Sequence, residues 1–295
     1  MNVSNRQSLV IRISKRIVPL RIRSVVGDLF WWLWAPPNDD VWQWKSNLEI
    51  LEKGGTLEPG IGLEEEKEYI QKQILSYYGS FEGLKVLGAG CGTGRIEAWL
   101  ASEGASVICM DHLLEAIQIS RIHAQRMECS EHFVVGDLER MPFKDMTFDL
   151  INSGGVLEHF DTPQKALREY FRITKPGGVI VISVPNLIGH NASYGMKPLA
   201  ELVLRNRIKS SLIEQDFSAR KLRKVIRESG FRCLDISPTL FNVFDYFPFS
   251  AFKRLLSLIH IYQFYRKLLY AFGKRYPGIA FGYSFMIALA QRPKC

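Results

Sequence analysis

The stretch "KVLGAGCGTGRIEAWL", residues 85–100, places four glycines at alternate positions directly after a short apolar run. This pattern predicts a strand, a glycine-rich turn and a helix. Such a turn brings backbone N–H groups and a helix N-terminus beside a ligand, and glycine lets the ligand approach closely. The spacing does not fit the G-x-G-x-x-G turn of dinucleotide-binding proteins, because Arg95 stands where Gly90-Cys91-Gly92 requires a third glycine.

Strand and helix patterns alternate around this turn, over residues 79–186. The strands are almost continuously apolar, as in "VIVISVPN" at 179–186, and helices separate them, such as the one from residue 162 that Pro176-Gly177-Gly178 stops. Two further strands are predicted at 232–238 and 283–292. Continuous apolar strands separated by helices indicate an α/β fold, in which helices cover both faces of a parallel sheet.

The composition is that of an ordinary globular protein, with 295 residues, 47% hydrophobic and 23% charged. The formal net charge of +8 raises the question of nucleic acid, anionic lipid or an anionic substrate as partner. Much of this excess is terminal, since residues 1–27 hold six basic side chains and no acid. Five cysteines form no C-x-x-C pair and no zinc-like cluster with histidine, so neither a disulfide framework nor a metal site is expected.

The glycine-rich stretch resembles the first motif of class I S-adenosylmethionine-dependent methyltransferases, acid-x-Gly-x-Gly-x-Gly. The resemblance covers about residues 85–238 and continues motif by motif. Within that superfamily the chain is most similar to ubiquinone-biosynthesis-type O-methyltransferases, through "ASEGASVICMD", "LEHFDTPQKAL" and "ITKPGG". The resemblance implies a Rossmann-like sheet of seven strands with the last antiparallel, and S-adenosylmethionine as cofactor.

The resemblance also assigns cofactor-binding roles. Asp111 in "ICMDHLLEAI" stands where the family's acid accepts from both ribose hydroxyls, and a carboxylate suits two such hydrogen bonds. Asp137 in "VVGDLERMPF" matches the acid that accepts from the adenine amine, with Leu138 supplying a backbone N–H. The cofactor-binding residues implied are Gly88, Ala89, Gly90, Cys91, Gly92, Gly94, Asp111, His112, Asp137, Leu138 and Ser153.

Gly88 departs from the family pattern, which begins with Asp or Glu at this position. In relatives that acid helps to fix the loop and the amino end of the cofactor. Its loss predicts weaker cofactor binding, by about 1–2 kcal/mol. The alternatives are a neighbouring side chain that supplies the acid, or a fold without catalytic activity. Because Asp111 and Asp137 are retained, an active enzyme is the favoured interpretation.

Methyl transfer from a sulfonium is an in-line displacement, so the protein mainly aligns the acceptor with the methyl carbon. A phenol or alcohol acceptor also needs a base, and His159 in "VLEHF" follows the fourth strand at the ligand-binding edge of such sheets. His190 in "PNLIGHN" is a weaker candidate that follows the fifth strand. Amino-methylating DNA enzymes carry a Pro-Pro-aromatic turn where this chain has Asn152-Ser153-Gly154-Gly155, so a nucleic-acid substrate is not expected.

Domain boundaries follow from the segments outside the alternating pattern. Residues 1–78 form a basic, Trp-rich extension, and 79–295 the methyltransferase domain with insertions at 187–215 and 239–282. Five of six tryptophans lie in "FWWLWAPPNDDVWQW", and the second insertion holds thirteen aromatics and one acid.

Two interpretations of these segments stay open. They form an apolar lid over the acceptor pocket, or they contact a membrane surface through residues 1–44 and 239–276, and the two are not exclusive. No apolar run approaches the roughly 18–20 residues of a spanning helix. A cytoplasmic location is expected, either free or at the membrane surface, with organelle targeting by the Arg-rich, acid-free residues 1–27 as an alternative.

The sequence therefore predicts S-adenosylmethionine-dependent methylation of a small, apolar or lipid-linked acceptor, with oxygen as the favoured methylated atom. Methylation at carbon or nitrogen is an alternative, because no residue determines the acceptor atom. A catalytically silent scaffold that keeps the fold is the alternative from a different functional class, and Gly88 is its support.

Overall fold

The computed structural model describes residues 44–57, 63–186, 215, 217–241 and 283–294, together with the single positions 268, 271 and 275. His190, residues 1–43 and nearly all of the two predicted insertions therefore lie outside the described residues.

The described chain forms helices and strands in alternation. The helices are α1 (Trp44–Glu52), α2 (Leu63–Tyr78), α3 (Arg95–Ser102), α4 (Leu114–Arg126), α5 (Pro163–Ile173) and α6 (Ala219–Glu228), with a 3-10 turn at Leu157–His159. The strands are β1 (Lys85–Ala89), β2 (Ser106–Asp111), β3 (Glu131–Val135), β4 (Phe148–Gly154), β5 (Thr174–Pro185), β6 (Arg232–Phe241) and β7 (Tyr283–Gln291).

These strands form one sheet of seven in the order β3-β2-β1-β4-β5-β7-β6. The pairs among β1 to β5 are parallel, whereas β7 runs antiparallel to both β5 and β6. The predicted seven-stranded Rossmann-like sheet with an antiparallel last strand is confirmed. The strand order reverses between β1 and β4, and in open α/β sheets ligands bind outside the carboxyl ends of the strands at such a point.

Helices cover both faces of the sheet, as the continuously apolar strands predict. One core contains Leu167 and Tyr170 of α5 and Leu222 of α6, packed on one face of the sheet. The other contains Ile70 of α2 and Leu100 of α3, packed on the opposite face.

The helix predicted from residue 162, with Pro176-Gly177-Gly178 as its stop, ends a little before that stop. Helix α5 ends at Ile173, and β5 begins at the next residue. The residue before a proline disfavours helical geometry, so Lys175 before Pro176 is extended. Gly177, at φ 82°, then takes a backbone conformation that other residues rarely adopt.

Helix α2 belongs to the packed core of the domain, although its residues lie in the range 1–78 that the sequence assigned to an extension. Tyr69, Ile70 and Ile74 are buried in the same cluster as the β1 and β4 side chains. Their spacing places them on one face of the helix. Assignment of 1–78 as a separate extension stays a prediction for residues 1–43 only.

We expect Ile74→Ala to lower the free energy of unfolding by about 2–4 kcal/mol, because it leaves a cavity in a packed core. Ile74 is fully buried, whereas its neighbour Leu75 is 38% exposed. Leu75→Ala is therefore the matched control, with an expected loss below about 1 kcal/mol. Urea unfolding of both variants measures the difference, and equal losses would contradict the placement of α2 in the core.

Candidate active site

The turn after β1 requires glycine at three positions. Gly90, Gly92 and Gly94 have φ values of 72°, 54° and 66°, in the left-handed region that favours glycine. A side chain at Gly90 would collide with Val156, and one at Gly94 with Ser120. The turn therefore lies tightly between the loop after β4 and helix α4.

Asp111, at the end of β2, holds this turn through a hydrogen bond to its backbone. Its Oδ2 accepts from the Gly92 N–H at 3.0 Å, and its Oδ1 accepts from the Leu113 N–H at 3.0 Å. The side chain is almost fully buried. A carboxylate has about four acceptor positions, so two remain for a ligand that lies against the turn. His112 is exposed, with its Nδ1 3.3 Å from Asp111 Oδ1.

Asp137 and Leu138 lie at the end of the next strand. The Gly136 N–H donates to the Asp111 carbonyl at 2.9 Å, which brings this segment beside the end of β2. Asp137 is exposed, and its Oδ1 accepts from the Glu139 N–H at 2.8 Å, while Leu138 is buried. The structure thus brings both predicted acids to neighbouring strand ends at one edge of the sheet.

Two predicted cofactor residues, Ala89 and Ser153, have buried side chains. The Ser153 hydroxyl lies 2.9 Å from the Tyr170 hydroxyl in the buried core, so it is already hydrogen-bonded there. Ala89 is fully buried, and its methyl group belongs to the same core. Cys91 is a free thiol in the turn.

Gly88 is glycine because another side chain fills the space beside it. A Cβ on residue 88 would lie 2.6 Å from Glu97 Oε1 and 2.7 Å from Glu97 Cδ. Glu97 lies in the first turn of α3 and is only 3% exposed. Its Oε1 accepts from Asn152 Nδ2 at 2.9 Å. Sequence reasoning missed Glu97, although an acid so soon after a turn that lacks its usual acid was a signal.

A second carboxyl that sequence reasoning missed, Glu66 of α2, lies near the end of β4. Its Oε1 is 3.5 Å from the Ser183 hydroxyl and 2.8 Å from where a Cβ of Gly154 would stand. Burial raises the pKa of Glu66 to about 7, against a lowering by Ser183. Burial likewise raises the pKa of Glu97 to about 7; Asn152 opposes this shift, and the negative charge of Glu66 adds to it.

His159 lies in the 3-10 turn after β4, at the same edge of the sheet as Asp111. It is half-buried, with its Nδ1 atom inside the protein. Gln215, which is distant in the sequence, holds this 3-10 turn, because its N–H donates to the Glu158 carbonyl at 2.8 Å. The Gln215 side chain also donates to the Phe160 carbonyl at 2.9 Å. These hydrogen bonds fix the backbone on both sides of His159, and its role as a base stays a prediction.

Residues 44–57 lie across the glycine turn. The ring of Trp44 comes within 3.4 Å of where a Cβ of Gly92 would stand. Two arginines tie this segment down, since Arg126 donates to the Leu51 carbonyl at 3.1 Å and Arg95 to the Leu57 carbonyl at 2.9 Å. This part of the predicted extension therefore lies beside the turn, and its role as a lid stays a prediction.

The described residues contain neither a metal-binding cluster nor a membrane-spanning helix. Among these residues no group of three or more His, Cys, Asp or Glu side chains is arranged to hold a metal ion. Nor does any described helix have the length and apolarity needed to cross a membrane.

Comparison with known proteins identifies the region that carries this site. Residues 87–182 match the profile of the methyltransferase domain family. The chain is 31% identical over 112 residues to the malonyl-[acyl-carrier protein] O-methyltransferase of Pectobacterium atrosepticum, which covers 38% of the chain and 43% of that relative. It is also 31% identical over 119 residues to the ubiquinone biosynthesis O-methyltransferase of Rickettsia typhi, covering 40% of the chain and 48% of the relative. The chain thus spans less than half the length of these two relatives.

Solved structures share the fold over a longer range. The magnesium protoporphyrin IX methyltransferase of Synechocystis PCC 6803, solved with bound S-adenosylhomocysteine (SAH), superposes with a TM-score of 0.57 at 16% identity. It covers 92% of this chain and 99% of its own. The [4+2]-cyclase SpnF superposes with a TM-score of 0.56 at 18% identity, over 88% and 98% of the two chains. At such identities the likeness shows the fold alone.

The raised pKa values of Glu97 and Glu66 predict that stability falls as pH rises. Below the unfolded pKa of 4.5 both states are protonated; between 4.5 and about 7 the unfolded chain loses protons that the folded protein keeps. We expect Glu97→Gln, which cannot titrate, to remove part of this slope. Its free energy of unfolding relative to wild type should rise by about 1–3 kcal/mol between pH 5 and pH 8. Urea unfolding at both pH values measures this difference, and a constant difference would contradict the burial of an ionisable carboxyl.

Proposed function

Because residues 87–182 form a methyltransferase domain, we propose that the protein is an S-adenosylmethionine-dependent methyltransferase of a small molecule. The observation that carries this proposal is the left-handed glycine turn with its N–H bonded to Asp111 at the point where the strand order reverses. That arrangement offers backbone donors, a carboxylate and close approach, which together suit the adenosine and methionine parts of the cofactor.

The residues present fit the cofactor at both ends of its adenosine. Asp111 retains acceptor positions for ribose hydroxyls, and exposed Asp137 with the Leu138 N–H lies at the next strand end for adenine. S-adenosylmethionine supplies an activated methyl group on a sulfonium. The protein then has to hold the acceptor in line with that methyl group and to exclude water, and Trp44 above Gly92 contributes to the exclusion.

Oxygen is the methylated atom we propose, on an apolar acceptor. His159 supports this choice, since an imidazole beside the site can remove the proton of a hydroxyl group as its oxygen attacks. Two relatives support it as well, because their names state O-methylation in ubiquinone biosynthesis and of malonyl-[acyl-carrier protein]. The space that Glu97 fills at Gly88 removes the main argument for a silent scaffold.

Membrane-surface contact through 1–44 and 239–276, an aromatic lid over the acceptor and a role for His190 are further proposals that rest on the sequence. Their supports are the five tryptophans of 30–44 and the thirteen aromatics of 239–282. Nearly all of these residues lie outside the described ranges.

We expect the wild-type protein to bind SAH in calorimetric titration, and Asp111→Asn to weaken that binding about tenfold or more, since one charge-assisted hydrogen bond acceptor is lost. Asp145→Asn is the matched control, because the Asp145 side chain is exposed near the opposite edge of the sheet and accepts from Arg172. Thermal unfolding confirms that each variant is folded. A folded wild-type protein that binds no SAH would contradict the proposed function.

We expect His159→Gln to lower the rate of methyl transfer to a phenolic acceptor by about 10²–10⁴, the usual contribution of a general base. SAH affinity should stay within about twofold of wild type, because His159 acts on the acceptor and not on the cofactor. Transfer of a radiolabelled methyl group from S-adenosylmethionine to a panel of prenylated phenols measures the rate. An unchanged rate on an accepted phenol would exclude His159 as the base.

A further inference from the structure

Glu97 and Glu66 are two carboxyls near the ends of β1 and β4, close enough for the negative charge of Glu66 to raise the pKa of Glu97. Among the described residues neither forms a salt bridge with lysine or arginine. Glu97 is buried and Glu66 is partly buried. A buried carboxylate without a cation is costly, which is why such groups are usually paired or protonated. The pair therefore has capacity for a positively charged group.

Asn152 provides a second, independent observation. It lies on β4 opposite Gly88 of β1 in the register, and it is 5% exposed. Its Nδ2 donates to Glu97, but its buried Oδ1 accepts from no donor in the part of the chain that the structure describes. An acceptor oxygen left in this way beside a carboxyl indicates a missing donor, since buried polar atoms are nearly always hydrogen-bonded.

A purely structural role accounts for only part of this arrangement. Glu97 accepts from its own backbone N–H in the first turn of α3, where an acidic side chain stabilises the helix. An acid on the exposed side of the first turn would stabilise the helix equally well. This stabilisation requires neither Glu66 nor a glycine at residue 88. It also leaves the Asn152 Oδ1 without a donor.

Building on the proposed function, we propose that Glu97, with Glu66 beside it, binds the ammonium group of the cofactor's methionine part. The Glu97 carboxylate then comes from α3 and occupies the space that a side chain on residue 88 of β1 would fill. The ammonium group supplies three donors, enough for Glu97, Glu66 and the Asn152 Oδ1. SAH carries this ammonium as its only cationic group, so it isolates the interaction.

The experiment compares SAH with 5′-methylthioadenosine, which lacks the ammonium and carboxylate of the methionine part. We expect Glu97→Gln to weaken SAH binding about tenfold in calorimetric titration and to leave methylthioadenosine binding within about twofold. Removal of an acid does not weaken contacts to the negatively charged carboxylate of SAH. A loss of affinity for SAH but not for methylthioadenosine therefore reports the contact with the ammonium group. Glu66→Gln should shift SAH binding in the same direction.

Glu103→Gln is the matched control. Glu103 caps the C-terminal end of the same helix α3, where its exposed side chain accepts from Trp99 Nε1 at 3.2 Å. We expect it to bind both ligands as the wild type does. If Glu97→Gln also binds SAH like the wild type, the inference is wrong while the proposed function stands. If wild type binds neither ligand, the proposed function itself fails.

Binding should also depend on pH. A cationic ligand favours the ionised carboxyls, so we expect the SAH affinity of the wild type to fall from pH 8 to pH 6 and this fall to be smaller in Glu97→Gln. The groups that face Glu97 are Glu66 of α2, Cys91 of the turn, Cys109 of β2 and Glu131 of β3. Equal pH dependence in both proteins would contradict the inference.

A paired substitution tests whether residues 88 and 97 share one space. We expect Gly88→Asp alone to weaken SAH binding, because the new side chain collides with Glu97. With Glu97→Ala in the same chain, Gly88→Asp should bind SAH more tightly than Glu97→Ala alone. No gain in a folded double variant would overturn the proposal that Glu97 replaces a carboxylate at residue 88.

Discussion

The hydrogen bond from the Gly92 N–H to Asp111 organises the site, because it joins the turn after β1 to the end of β2. The turn can make this bond only with left-handed backbone at Gly90, Gly92 and Gly94, and the side chains of Val156 and Ser120 close the space around it. Once the turn is fixed, α3 starts at a defined point and carries Glu97 over the end of β1. Glu97 on α3 and the Trp44 ring, which lies against Gly92, therefore both depend on the turn that this contact fixes.

Much of the fold could be predicted because local patterns determine it. Apolar strands with helical segments between them place the parallel sheet, and alternate glycines mark the turn. The resemblance to a family added the antiparallel last strand, which the register of β7 against β5 confirms. The positions of Asp111 and His159 at one edge follow from the same rule, since the carboxyl ends of parallel strands meet there.

The rest depends on contacts between residues far apart in the sequence. In "RIEAWL" Glu97 has the pattern of a solvent-facing residue, and its burial depends on Asn152, 55 positions away. Helix α2 begins with three acids, which hid the apolar face that Ile70 and Ile74 present to the sheet. Glu66 becomes a site residue only because that face docks and brings the helix's first turn beside Ser183. Periodicity gives the face of a helix but not its neighbours.

The space that Gly88 and Glu97 share also restricts which substitutions at these two positions can be accepted during evolution. An acid gained at residue 88 while Glu97 is present forces two side chains into a volume that holds one. Loss of Glu97 first leaves a void beside Asn152 and removes its partner. Either single substitution gives a less stable protein, so the two positions constrain each other although they lie nine positions apart in the sequence. In homologous sequences an acid at one position should therefore accompany a small residue at the other.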